Sequence, residues 1–281
     1  MLDVHGRFVW YELMTTDPKA AMAFYAKVMG WRVWDASAPG RPYFLFSAGP
    51  ASVGGLMSLP EEAQASGVKP SWLGYVGVDD VDAAARRILR LGGAVHVPPT
   101  DAADVSRFSI ISDPQAARLA LLKWRNPSQH PLAERRTPGR VGWHELLAAD
   151  WESAWPFYGE LFGWERSEEK LGEAQGYQLF SAGGEAIGGM FSKEPEMPGP
   201  CWLYYFNIGD IDATIARVEA RGGELVHGPV EVPGGSWIAQ CIDPQGAWFA
   251  LQGSRRPDAV GYFERVSTGG RSRVPGGRWS W

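Results

Sequence analysis

Residues 10–31 read WYELMTTDPKAAMAFYAKVMGW, and residues 143–164 read WHELLAADWESAWPFYGELFGW. The two stretches lie 133 residues apart at both ends, with no gap between them. They share Trp, Glu, Leu, Asp, Ala, Phe, Tyr, Gly and Trp in the same order. The match continues outward. YFLFS at 43–47 returns as YQLFS at 177–181, and Gly54-Gly55 as Gly188-Gly189. WLGYVGVDDVDA from Trp72 returns as WLYYFNIGDIDA from Trp202. Gly92-Gly93 matches Gly222-Gly223, and Asp113-Pro114-Gln115 matches Asp243-Pro244-Gln245. An ordered match of this length means two homologous domains. It is too long for the short repeats of solenoids or propellers.

Each copy opens on a short alternating segment, Phe8–Met14 or Val141–Leu147, which reads as a strand. Asp17 and Asp150 then stand where a helix needs a cap, and Pro18 falls in the first turn, where its missing N–H costs nothing. Ala21, Phe24, Tyr25 and Val28 form one helical face, repeated as Ala154, Phe157, Tyr158 and Leu161. Gly30 and Gly163 stop these helices. Strands follow near 32–35, 43–48 and 52–56; then the pattern restarts. Trp72–Val78 reads as a strand and Asp80 caps a second helix ended by Gly92-Gly93. Three more strands follow, near 94–97, 107–112 and 118–122. Each domain is thus two βαβββ modules. The predicted fold is α+β: four such modules forming two cupped, mixed sheets. Which modules pair is open at this level. The domains are expected at 5–125 and 139–253. A Pro-containing polar linker occupies 126–138, and a Gly-, Ser- and Arg-rich tail ending in Trp279 and Trp281 occupies 254–281. For the tail, docking into a groove and disorder are both open readings.

Composition narrows the class of function. The chain has 281 residues, a net charge of −5, and 2 Cys. Two cysteines make neither a disulfide framework nor a zinc knuckle, which points to a cytoplasmic protein. There is no apolar run long enough for a membrane span, and residues 1–8 (MLDVHGRF) lack the features of a signal peptide. The acidic balance offers nucleic acid no electrostatic footprint. The expected partner is a small-molecule ligand. The chain is expected as a monomer of two pseudo-symmetric domains or as a homodimer. Fourteen Trp is the unusual count, and six of them recur in pairs: Trp10/Trp143, Trp31/Trp164 and Trp72/Trp202.

The D-P-x-x-A-x-x-F-Y-x-x-x-x-G-W segment early in the copy, with D-P-Q late, resembles the vicinal oxygen chelate superfamily. That family contains glyoxalases, bleomycin-resistance proteins and extradiol dioxygenases. The resemblance covers nearly all of 5–253 and is nearest to tandem two-domain glyoxalase-like proteins. It implies cups formed by the strands and, in the metalloenzymes of the family, a His or Gln, a His and a Glu on three strands. Those ligands suit Mn, Fe, Ni or Zn. At the corresponding positions this chain has Trp10 and Trp143, Leu73 and Leu203, and Ala120 and Ala250. No metal and no other cofactor is therefore expected, with one divalent metal at a displaced site as the alternative. His144 neighbours a ligand position, but strand alternation turns it to the opposite face from Trp143 and Glu145.

The residues left to carry chemistry are Glu12 and Glu145, on the same strand face as the first Trp of each copy. Each is either a ligand contact or general base in an aromatic cup, or a structural carboxylate bonded to backbone donors or an arginine. Trp10, Tyr75, Arg118, Trp143, Tyr205, Asn207, Trp237 and Trp248 are the candidate ligand-binding residues. Three functions stay open. One is a protein binding a small apolar or aromatic molecule in a cup. Another is a metal-dependent lyase, isomerase or dioxygenase-type enzyme with a displaced metal. The last is an assembly protein whose cups are filled by side chains.

Overall fold

The computed structural model describes residues 4–129, 134, 136–167, 176–195, 197 and 199–255. Residues 256–281 of the tail and His130 of the linker lie outside the described residues. The first domain runs β1 (Phe8–Thr15), α1 (Pro18–Val28), β2 (Arg32–Asp35), β3 (Phe44–Ala48), β4 (Ala51–Ser58) and α2 (Glu61–Ala65). It continues with β5 (Ser71–Gly77), α3 (Val81–Arg90), β6 (Ala94–Ala102), β7 (Ser106–Ser112) and β8 (Arg118–Trp124). The second runs β9 (Val141–Ala148), α4 (Trp151–Phe162), β10 (Glu165–Arg166), β11 (Gln178–Ala182) and β12 (Glu185–Ser192). It ends with β13 (Cys201–Asp210), α5 (Ile211–Ala220), β14 (Glu224–Val232), β15 (Ser236–Ile242) and β16 (Trp248–Ser254). The short α2 is an element that periodicity does not reveal. It is too brief to show an apolar stripe.

Helix starts follow the expected caps. Asp17 accepts from the Ala20 N–H at 3.0 Å, and Asp150 from the Glu152 N–H at 3.1 Å. Gly163 ends α4 in the left-handed region at φ 67°, where a side chain would be strained.

Each domain is one eight-stranded sheet, in the order β2-β3-β4-β1-β5-β8-β7-β6 and β10-β11-β12-β9-β13-β16-β15-β14. Modules therefore pair within a domain. The first strands of the two modules, β1 and β5, run antiparallel side by side, and each is flanked on its other edge by a parallel strand. Since strand side chains alternate, each sheet has two different faces. One face carries the helices and merges with that of the other domain into a single buried core. This core contains Tyr25, Trp31, Trp72, Tyr158, Trp164 and Trp202. The opposite face of each sheet is a cup with its own small cluster.

The domains meet about a pseudo-twofold axis, and their contacts come in reciprocal pairs, as in an isologous dimer. Tyr25 donates to Asp243 at 3.0 Å, and its repeat mate Tyr158 donates to Asp113 at 2.9 Å. Trp31 donates to the Gly139 carbonyl at 2.9 Å, and Trp164 to the Gly6 carbonyl at 2.6 Å. The Phe-Tyr, Gly-Trp and Asp-Pro-Gln motifs that mark the repeat are thus the bonding groups of the domain junction.

Candidate functional site in the two cups

In the first cup, Trp10, Glu12 and Met14 point from β1 toward Leu73 and Tyr75 on β5 and toward Ala120 and Leu122 on β8. Glu12 is 7% exposed. Its carboxylate accepts from the Tyr43 hydroxyl at 2.8 Å and from the Tyr75 hydroxyl at 2.9 Å. The Trp10 indole N–H in turn donates to the Tyr43 oxygen at 3.3 Å. The second cup repeats the arrangement. Glu145, 3% exposed, accepts from Tyr205 at 2.7 Å and Tyr177 at 3.0 Å, and Trp143 donates to Tyr177 at 2.9 Å. Here Gln240 joins in, donating to the Tyr205 oxygen at 3.0 Å and reaching Glu145 at 3.5 Å. Ile110 holds the matching position in the first cup.

A carboxylate out of water favours its neutral form, while hydroxyl donors favour the charged one. Burial dominates here. It raises Glu12 above the usual range, against the pull of Tyr43 and Tyr75. It pushes Glu145 up to about 7, against the hydrogen bonds of Tyr205 and Tyr177. Burial and the neighbouring carboxylate raise the tyrosines in the same sense, so their hydroxyls stay protonated. Each cup therefore holds an acid raised above the usual carboxylate range and set in an aromatic wall, and Glu145 is able to give or take a proton near neutrality.

Glycine makes room for this cluster. A Cβ at Gly55 would overlap the Tyr43 hydroxyl, and one at Gly189 would overlap the Tyr177 ring. The first glycine of each pair lies instead against backbone, Gly54 on the Tyr11 carbonyl and Gly188 on the His144 carbonyl. The Gly-Gly repeat thus seats a tyrosine over a carboxylate as well as letting strands approach.

The structure brings Trp10, Tyr75, Trp143 and Tyr205 together with the two glutamates. Trp248 packs at the edge of the second cup. Trp237 lies elsewhere, while Arg118 and Asn207 stand on the cup-side rows of their strands, away from the two carboxylate clusters. Arg118 is exposed at the start of β8, opposite Ser112. Trp237 is turned to the other face of β15, because Ile238 and Gln240 take the cup side; it packs on the shared core and under the Arg255 guanidinium at 4.6 Å. Asn207 binds the Thr137 carbonyl at 3.0 Å and accepts from Gln252 at 2.6 Å, tying β13 to the chain entering the second domain. The structural partners of Glu12 and Glu145 are also neither backbone groups nor arginines: phenol hydroxyls take that place. Sequence reasoning did not single out Tyr43 and Tyr177 as site residues, although their recurrence in YFLFS and YQLFS was visible.

At the positions that the family resemblance implies for metal ligands, Trp10, Leu73 and Ala120 and their repeat mates offer no lone pair for a metal. Among the described residues no three His, Cys, Asp or Glu side chains gather so as to hold a metal ion. His144 is on the core face, stacked on Phe8 at 4.0 Å. No helix among the described residues is long and apolar enough to cross a membrane.

Two cupped βαβββ-built sheets with an inward acid in each define a class. The chain belongs to the Glyoxalase/Bleomycin resistance protein/Dioxygenase superfamily, whose family model matches residues 7–121 and 140–251. Among its relatives is a Mycobacterium tuberculosis protein named "Putative glyoxylase CFP32", 34% identical over 86% of this chain and 92% of that one. "Anthracycline biosynthesis protein DnrV" of Streptomyces peucetius is 28% identical over 88% of this chain and 92% of its own length. The solved Mn(II)-bound glyoxalase from Novosphingobium aromaticivorans shares the fold, with a TM-score of 0.57 and 17% identity, over 88% of this chain and 81% of that one.

Proposed function

We propose that this protein binds a small apolar or aromatic molecule in a cup, with the buried glutamate as its hydrogen-bonding group and without the family's metal. The observation that carries this reading is the repeated cluster of one carboxylate, two tyrosines and a tryptophan in a mainly apolar cup, joined in the second domain by Gln240. Such walls, with few convergent polar groups, suit small ligands. An acid poised near neutrality can donate to a carbonyl or accept from a hydroxyl. The name of the Streptomyces relative supports an aromatic ligand, since anthracyclines are polycyclic aromatic compounds.

The test is tryptophan fluorescence of the full chain titrated with 1,8-dihydroxyanthraquinone, 1-naphthol and methylglyoxal, beside metal analysis after dialysis. Saturable quenching by the aromatic compounds, weakened in Glu145→Gln or Glu12→Gln, is expected, with no retained equivalent of Mn, Fe, Ni or Zn. A retained equivalent would overturn the metal-free reading in favour of an enzyme with a displaced site. An absence of quenching across the panel would favour cups filled by their own side chains. The burial of Leu73 and Leu122, in a cluster against which Ala63 and Val68 pack, is the observation behind that second reading.

A further inference from the structure

In a reciprocal interface, residues on the axis meet their own repeat mates. Among the described residues two such pairs are hydrogen-bonded, and in both the mates differ. Tyr11 meets His144 with its hydroxyl 2.6 Å from Nε2, and the Gly74 N–H donates to the Tyr204 hydroxyl at 2.7 Å. Away from the axis the contacts are matched: tyrosine to aspartate twice, tryptophan to glycine carbonyl twice.

We infer that these axial pairs make the pairing face of each domain selective for the other domain and unsuited to a second copy of itself. The Tyr204 ring, 1% exposed, fills the space that Gly74 leaves open. A Cβ on Gly74 would lie 2.7 Å from that ring and 2.8 Å from Phe8. Two copies of the first domain would set Gly74 against Gly74 and leave a void. Two copies of the second would set two Tyr204 rings into one space. The His144 pair acts in the same direction. Nδ1 lies 2.6 Å from the Ile187 carbonyl, an acceptor, so Nδ1 donates there and, in the neutral ring, Nε2 accepts. The Tyr11 hydroxyl is the donor it needs. Two His144 rings would face each other with acceptors alone.

The test is a double-mutant cycle in the full chain with Gly74→Ala and Tyr204→Ala. Gly74→Ala is expected to lower the thermal midpoint by about 5 °C in the wild-type background, and by less than about half of that when Tyr204 is already Ala, where only the Phe8 contact remains. Equal losses in both backgrounds, or no loss in the first, would overturn the inference. Partner choice is read on the full chain cut at a protease site inserted within 126–138, then refolded and weighed by native mass spectrometry. Mixed pairs alone are expected. Like pairs at their statistical share would overturn it.

Discussion

Glu145 shows how one residue links packing to pH. Its carboxyl sits at about 7 in the folded chain against an ordinary 4.5, so folding takes up a proton between those values. Stability then falls as pH rises through that window, and the cost of burying the charge is fully present above it. The shift corresponds to roughly 3 kcal/mol at most. Glu145→Gln keeps an acceptor for a tyrosine hydroxyl and removes the titration. Urea unfolding at pH 4.5 and pH 8 is expected to show the variant gaining on the wild type as pH rises. A difference constant with pH would refute the assignment. Glu12, Asp113 and Asp243 shift in the same direction in both proteins, so they cancel in the comparison. The residue itself was legible in the sequence as a repeated inward carboxylate. Its partners were not, because Tyr43 and Tyr177 come from just before the third strand of each domain and reach the site only through tertiary placement.

Among the elements, α1 and α4 matter most, because each serves the neighbouring domain. The helix that follows β1 puts Tyr25 between the Trp72 indole of its own domain and the Asp243 turn of the other. Asp243 also accepts from the N–H groups of Gln245 and Ala247, so one carboxylate shapes its turn and anchors a foreign helix. Asp113 does the same for Gln115, Ala117 and Tyr158. Tyr25→Phe and Tyr158→Phe are each expected to cost about 2 kcal/mol, because a buried carboxylate and a buried indole N–H both lose a partner. Reciprocity makes the two losses nearly equal. Denaturant unfolding measures them, and a loss under about 0.5 kcal/mol in either variant would contradict the role of the bond. Periodicity located these helices and their buried faces. It says nothing of which domain the tyrosine addresses.

At the scale of the molecule, the two domains share one core. Phe24 of the first packs edge-on to Phe249 of the second at 5.9 Å, and Trp31 packs on Phe206 at 5.3 Å. Separate unfolding would expose this aromatic surface on both halves, a large loss of apolar burial. Calorimetry is therefore expected to show one cooperative transition for the whole chain. Two resolved transitions would mean that each domain is stable without the other.

The repeat, the α+β class, the capped helices, the strand faces and the pair of inward glutamates were determined by the sequence itself. All of them follow from local chemistry: spacing along one chain, caps within one turn, alternation along one strand. Tertiary structure alone decided that modules pair within domains, that the motif tyrosines bond across the junction, and that phenols clamp the acids. It also decided that Trp237 leaves the cup and that unlike residues meet on the axis. These depend on contacts between segments far apart in the chain, where several partners satisfy the same local pattern and only close packing selects among them.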